Sequence, residues 1–339
     1  MDKKKLLALG IPTYKRPDFA IRAIKHAVDM NIYDQIIVSS NSKEDEIGEY
    51  IGRLGNNRIT YHKHESNVGM SLNYAEVVTL CECDYLHIVS DEDLTNEKNT
   101  RELYSILDYC EPDISVVILS VMDQEGRLYR DASWQKNKKL LNICGDSGHI
   151  GSSIIKVKDW REATYKLMSE YCTRKGNAYP TAAAAILSHS TGGEVLYFSP
   201  HLVEMGKNHK VSEMGGHDTY GFEARLNQFV SMFKHIDNRR IGSTFTVYMY
   251  VFYFFSHHAL RSAMIKYPDD NSVAISKMVL RDSCVLFKER AATSLVVAAH
   301  YLFRFYFHSR KTVRIIFENL GIDKSYYLFR TKCARLFKK

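Results

Sequence analysis

From Leu6 to Leu119, short apolar runs alternate with amphipathic helical patterns. That alternation restricts the chain to strand–helix–strand units around a largely parallel sheet. Leu6–Ile11 reads as the first strand, and Pro17-Asp18 opens a helix carrying Ile21, Ile24, Ala27 and Val28 at helical spacing. Strands at Gln35–Ser39 and Ile59–His62 follow, with helices near Asp45–Leu54, Ser71–Leu80 and Asn96–Tyr109 and a further buried strand at Ile114–Leu119. Beyond residue 120 the pattern is mixed, with strands expected at Ile150–Ile155 and Glu194–Phe198 and helices from Asp159 and near Thr181–Leu187. After about residue 240 the chain becomes helical and rich in aromatic and basic residues. The expected layout is an α/β domain over 1–240 and a helical region over 241–339. In open α/β sheets ligands bind beyond the carboxyl ends of the strands, so the loops at those ends are the residues to read.

The most pointed of them follows the run Asp84–Val89, which leads through Ser90 into Asp91-Glu92-Asp93. Three adjacent carboxylates repel one another unless a cation or a ligand compensates them. Were the strand to stay extended, Asp91 and Asp93 would point to one side and Glu92 to the other. A solvated turn capping the next helix at Thr95 or Asn96 accounts for the same residues equally well.

Composition bounds the class. A chain of 339 residues with 45% hydrophobic and 25% charged side chains is ordinary globular protein and argues against disorder. Seven cysteines without CxxC or metal-site spacing favour a reducing compartment, so a cytoplasmic location is expected. The apolar run from Leu6 is stopped by Pro12 and is too short for a signal peptide, and Phe245–Phe255 is about half the roughly 20 residues a spanning helix needs. The net charge of +7 is unevenly placed: residues 301–339 hold 10 basic and 2 acidic side chains, interleaved with Tyr301, Phe303, Phe305, Tyr306, Phe307, Tyr326, Tyr327 and Phe329. That mixture suits an anionic membrane surface, with a packed helical subdomain or a homo-oligomer interface as the alternative.

The other strand ends carry Ile11-Pro12-Thr13-Tyr14-Lys15-Arg16-Pro17, then Ser39-Ser40-Asn41, then Asn67-Val68-Gly69-Met70-Ser71-Leu72-Asn73. With the acidic turn as the fourth element, the order resembles the family-2 glycosyltransferases of the GT-A fold, and among them bacterial O-antigen and lipopolysaccharide transferases. The resemblance implies an α/β fold with a Rossmann-like, mostly parallel sheet flanked by helices and a C-terminal helical region. It implies a nucleotide-diphosphate sugar donor bound by Pro12, Thr13, Tyr14, Arg16, Asn41, Asn67, Gly69, Asn73, Ser90 and Asp91, with Mn²⁺ or Mg²⁺ held by Asp91 and Asp93. It further implies a glycan or polyprenyl-diphosphate-linked acceptor, an inverting hexosyl or deoxyhexosyl transfer, and peripheral attachment to the inner face of the plasma membrane.

The residues also support these roles directly. Pro12 fixes the backbone where the strand ends, so that Thr13 and Tyr14 can present a hydroxyl and an aromatic face. Lys15 and Arg16 can contact phosphate, and Asn67 and Gly69 permit a close backbone approach. Two departures stand out. Ser39-Ser40 occupies the place of an acidic pair that contacts base and ribose in many members, which leaves CDP-, dTDP- and GDP-sugars open. Gly176–Thr181, where the family carries its base, has no carboxylate. Inverting transfer needs a group to take the acceptor proton, and Asp218 beside Gly215-Gly216 is the first candidate, ahead of Glu170 and His149. His149 and Ser152 are expected near sugar or acceptor, and His209 as a third metal ligand, each with a surface or turn role as the plain alternative. Rival functions are a sugar nucleotidyltransferase, which would carry a Gly-rich loop after the first strand, and a membrane- or nucleic-acid-binding protein on an inactive scaffold; nucleic acid is not the expected partner.

Overall fold

The computed structural model describes residues 5–109, 114–130, 132, 150–158, 161–162, 165, 181, 184–185, 188, 194–206, 221–237, 251–252 and 254–302. Within the α/β part the strands are β1 (Leu7–Thr13), β2 (Gln35–Ser40), β3 (Ile59–Lys63), β4 (Tyr85–Ile88), β5 (Leu94–Thr95), β6 (Ile114–Met122), β7 (Leu128–Arg130), β8 (Ser153–Lys156) and β9 (Glu194–Glu204). Four helices intervene: α1 (Pro17–Met30), α2 (Glu46–Leu54), α3 (Met70–Leu80) and α4 (Glu97–Tyr109). The strand order is β3-β2-β1-β4-β8-β6-β9-β5, with β7 on β6.

The first four strands run parallel, as the alternation predicts; β8 then enters antiparallel between β4 and β6 and makes the sheet mixed. β1 is the pivot of the topology. Every residue of it is buried, with β2 along one edge, β4 along the first part of the other, and α1 and α3 packed against it. The chain runs outward from β1 to β2 and β3 and returns to its other side as β4, so the sheet reverses direction between β1 and β4. Such a switch point leaves a crevice at the carboxyl ends. Here the β1–β4 ladder stops at Gly10–Ile88, while β1 continues to Thr13 alongside β2. Pro12 lies beyond that last pair, where its missing N–H interrupts no β4 ladder.

Helix α1 follows from local rules. Pro17 occupies the first turn with Asp18, Asn31 closes the helix in the left-handed conformation (φ 52°), and Ala20, Ala23, Ile24, Ala27 and Met30 are buried. Small alanines, more than the larger Ile21 and Val28, set how closely the helix approaches the sheet. On the opposite face Gly10 lets α3 sit against β1, since a Cβ there would collide with Val77. Strand β9 extends past its predicted end at Phe198 to Glu204. It does so by a bulge: Leu119 pairs with Phe198 and Ser120 with His201, so Ser199 and Pro200 are looped out of the ladder.

A second apolar cluster joins α5 (Phe222–Asp237), a π-helical turn (Phe254–Ala259), α6 (Leu260–Lys266) and α7 (Ser272–Asp282) to helical residues 287–302, through Phe222, Phe229, Phe255, Leu260, Val279 and Val296. Helix α5 therefore packs with the helical region although it precedes residue 241. Asn271 caps α7 by accepting from Ala274 N at 3.1 Å, and Asp270 Oδ2 accepts from Phe222 N at 2.9 Å. Buried Glu289 accepts from Val285 N at 3.0 Å and lies 3.5 Å from Lys234 Nζ, which ties residues 285–289 to α5. Among the described residues no helix is long and apolar enough to cross a membrane.

Candidate active site

The crevice beyond β1 and β4 is where the polar loops meet. Thr13, the last residue of β1, donates its hydroxyl to Asp91 Oδ2 at 2.6 Å. Its carbonyl accepts from Asn73 Nδ2 at 3.1 Å and from Asn41 N at 3.0 Å. One residue thus connects the ends of β1 and β2, the first turns of α3 and the turn after β4. Asn41 Nδ2 in turn donates to Gly69 O at 3.1 Å while its Oδ1 accepts from Val68 N at 3.3 Å. Asn67 Oδ1 accepts from Gly69 N at 2.9 Å, and Gly69 adopts φ 85°, a conformation that favours glycine. Asn67, Gly69 and Asn73 therefore shape the segment that leads into α3.

Tyr14 is 40% exposed, with Lys15 Nζ 5.1 Å from its ring centre, and presents an aromatic face to solvent. Lys15 is left-handed (φ 55°), which costs a non-glycine residue free energy and places its N–H 2.7 Å from Ser42 Oγ. Next to it a cleft of about 270 Å³ is lined by Lys15, Pro17, Ser42, Glu44, Glu46 and Ile47. Glu44 and Glu46 thus place carboxylates near the second strand end, a few residues beyond Ser39-Ser40.

The acidic turn differs from the extended-strand expectation. Strand β4 stops at Ile88, and Asp93 N donates to Ser90 O at 3.0 Å, closing a turn over Ser90–Asp93. Strand alternation therefore does not decide where the three acids point, and all three are buried, at 0%, 4% and 2% exposure for Asp91, Glu92 and Asp93. Arg16 accounts for the change. Its Nη2 lies 2.6 Å from Asp91 Oδ1 and its Nη1 2.5 Å from Glu92 Oε2, so Glu92 turns inward and does not face away. Ser90 Oγ donates to Glu92 Oε1 at 2.7 Å. Asp93 Oδ1 accepts from Gly206 N at 3.0 Å.

Burial governs the charge of this turn. It pushes Asp91 up to about 6 although Arg16 and Thr13 pull the other way, and Asp93 up to about 7 against the Gly206 amide. Behind the turn, buried His87 is pushed down to about 4 by desolvation, and its Nε2 lies 2.9 Å from Gly151 O. A neutral imidazole there is a strut between β4 and the start of β8. Ser152 is fully buried at that point, its carbonyl accepting from Leu119 N at 2.9 Å. His149, His209 and Asp218 lie outside the described residues, as do Glu170 and residues 303–339.

Three contributions go beyond the sequence expectations. Ser39 holds Asn73, donating to its Oδ1 at 2.7 Å, and lies 3.2 Å from His64 Nε2. Gly206 sits so close to the Glu92 carbonyl that any Cβ would collide with it. Glu92 itself pairs with Arg16. Ser39 and Glu92 carried a signal as polar residues at strand ends; Gly206 carried none, because its partner lies 113 positions away.

The profile of glycosyl transferase family 2 matches residues 9–163, which contain all four loops. WcaA of Escherichia coli (strain K12), whose name assigns it to colanic acid biosynthesis as a glycosyl transferase, is 29% identical over 96 residues. That match covers 27% of this chain, and the chain spans about a third of the length of that relative, 34%. Among solved structures, residues 1–349 of S. aureus TarS in complex with UDP-GlcNAc superpose with a TM-score of 0.61 at 10% identity, covering 88% of this chain and 91% of that one. A second structure of the same TarS fragment gives 0.57 with the same coverage. At such identity the likeness speaks for the fold, and the matched profile for the family. The chain has the GT-A fold, and its residues 9–163 match the profile of the family-2 glycosyltransferases.

Proposed function

We propose that the protein transfers a sugar from a nucleotide-diphosphate donor to a glycan acceptor in the assembly of a cell-surface polysaccharide, with a polyprenyl-diphosphate-linked O-antigen or lipopolysaccharide intermediate as the acceptor. The observation that carries this is the convergence of four strand-end loops on Thr13 at the switch point of the sheet. The WcaA likeness and the UDP-GlcNAc-bound TarS neighbour support the polysaccharide setting and a nucleotide-sugar donor.

The residues present fit a hard divalent cation. Asp91 and Asp93 are oxygen donors, and both are driven toward the neutral form because burial leaves their charge under-compensated. Among the described residues no three His, Cys, Asp or Glu side chains form a ready cage. Mn²⁺ or Mg²⁺ would accordingly be held by Asp93, with Asp91 sharing it or contacting ribose, and by the donor's own phosphate oxygens. When bound, such a cation neutralises the charge that builds on the departing diphosphate. Tyr14 offers a face to the base. Arg16, 26% exposed at its side chain, carries a positive charge at the mouth of the crevice. For inverting attack the acceptor hydroxyl must lose its proton to a base on the far side of the donor, and Asp218 is the residue we assign to that step, with His149 beside the sugar and His209 beside the cation.

Exposed Val285, Phe287 and Leu302, at 76%, 87% and 70%, stand just ahead of the basic segment 303–339 and support peripheral docking on an anionic leaflet. Nucleotide release from a panel of UDP-, CDP-, GDP- and dTDP-sugars in the presence of Mn²⁺ tests the transferase reading. Release from at least one donor is expected, and release from none would set the reading aside.

A further inference from the structure

Glu92 is the middle acid of the turn, the one that strand alternation would send away from the site. Instead it is one of the most tightly placed side chains there. Ser90 fixes Oε1, Arg16 Nη1 contacts Oε2 at 2.5 Å, Arg22 of α1 donates to its backbone carbonyl, and Gly206 packs against the same carbonyl. The guanidinium of Arg16 is shared: one nitrogen on Glu92, the other on Asp91 Oδ1 at 2.6 Å. Arg16 sits where the chain enters α1, its carbonyl accepting from Ala20 N at 3.1 Å. A fork of this kind can release one carboxylate and keep the other, which a lysine ammonium cannot do with the same geometry.

We propose that Glu92 is a positioning residue for donor binding. It tethers Arg16 so that, as the donor diphosphate and its cation engage Asp91, the guanidinium exchanges Asp91 for a phosphate oxygen while keeping its contact to Glu92. The proposal rests on reading the crevice as a nucleotide-diphosphate site. No bond is made or broken in this exchange: one ion pair is replaced by another. The orientational freedom of the arginine is lost on folding, so less remains to be lost on binding. The middle acid thereby serves the site through Arg16 without touching the cation.

The test is calorimetric titration of the intact protein with UDP, CDP, GDP and dTDP in Mn²⁺, carrying the tightest forward to Glu92→Gln, Arg16→Ala and the double variant. Gln keeps the shape of Glu92 and its bond to Ser90 but loses the charge that holds Arg16. Glu92→Gln is expected to weaken diphosphate binding roughly ten- to thirtyfold, to add almost nothing in the Arg16→Ala background, and to be partly rescued by Glu92→Asp. Unchanged affinity in Glu92→Gln, or a loss that persists in full without Arg16, would overturn the tether. Should Glu92→Gln destabilise the fold, Arg16→Lys answers the same question: binding as weak as in Arg16→Ala supports the shared fork, and wild-type binding overturns it. If the wild type binds none of the four diphosphates, the nucleotide reading falls and takes the tether with it; binding by the wild type and by Glu92→Gln alike removes the tether alone.

Discussion

Thr13 and Asp91, 78 positions apart in the chain, are joined by a buried hydrogen bond of 2.6 Å across the gap where β1 and β4 part. The bond sits at the switch point of the sheet, and it fixes one carboxylate oxygen of the acidic turn.

Thr13→Val keeps the shape and removes the donor. A buried acceptor left without its partner costs about 1–3 kcal/mol. Urea denaturation should show a loss in that range together with weaker nucleotide binding; a loss below about 0.5 kcal/mol would mean that the bond contributes nothing beyond packing.

The acidic turn sets a pH dependence. Asp93 is raised to about 7 from an ordinary value of 3.8, so between those limits the folded chain holds a proton that the unfolded chain has lost. Stability from this group is complete below about 4 and is lost as pH rises through 7. In metal-free protein the wild type should therefore lose melting temperature between pH 5 and 8 relative to Asp93→Asn. Mn²⁺ should restore it at the upper end, since the cation selects the ionised carboxylate. Parallel pH profiles for the two proteins would show that Asp93 is not held in a proton-binding environment.

Gly206 touches the Glu92 carbonyl and donates its N–H to Asp93, so Gly206→Ala must push the two segments apart. A cost of about 1–3 kcal/mol is expected, with loss of metal-dependent nucleotide binding. Alanine tolerated with both properties intact would show that this approach is loose.

Much of this was readable in advance. The first four strands and the helices between them were visible because their periodicities are local. The loops were visible because Pro12, Gly69, Asn41 and Asp91 are unusual residues to find at strand ends. The direction of Glu92 was not readable: it depends on Arg16, 76 positions earlier, and on a turn closed by Asp93 N on Ser90 O where the strand was expected to continue. The antiparallel insertion of β8 and the bulge at Pro200 were hidden for the same reason, since both are decided by partners remote in sequence.

Docking on a membrane is a separable expectation. Vesicles containing anionic lipid should bind the protein in a flotation assay, less so as salt screens the basic segment, and Phe287→Ser should weaken the binding. Equal binding to neutral vesicles, or none to anionic ones, would contradict an electrostatic anchor.

On the proposed reading, the turn at Asp93 holds a cation and a nucleotide diphosphate together. Thermal unfolding of the wild type and Asp93→Ala, with UDP, CDP, GDP or dTDP and with or without Mn²⁺, measures it directly. At least one nucleotide should raise the wild-type melting temperature by several degrees only when Mn²⁺ is present, and Asp93→Ala should abolish that increment. Metal-dependent stabilisation that survives in Asp93→Ala would contradict the claim.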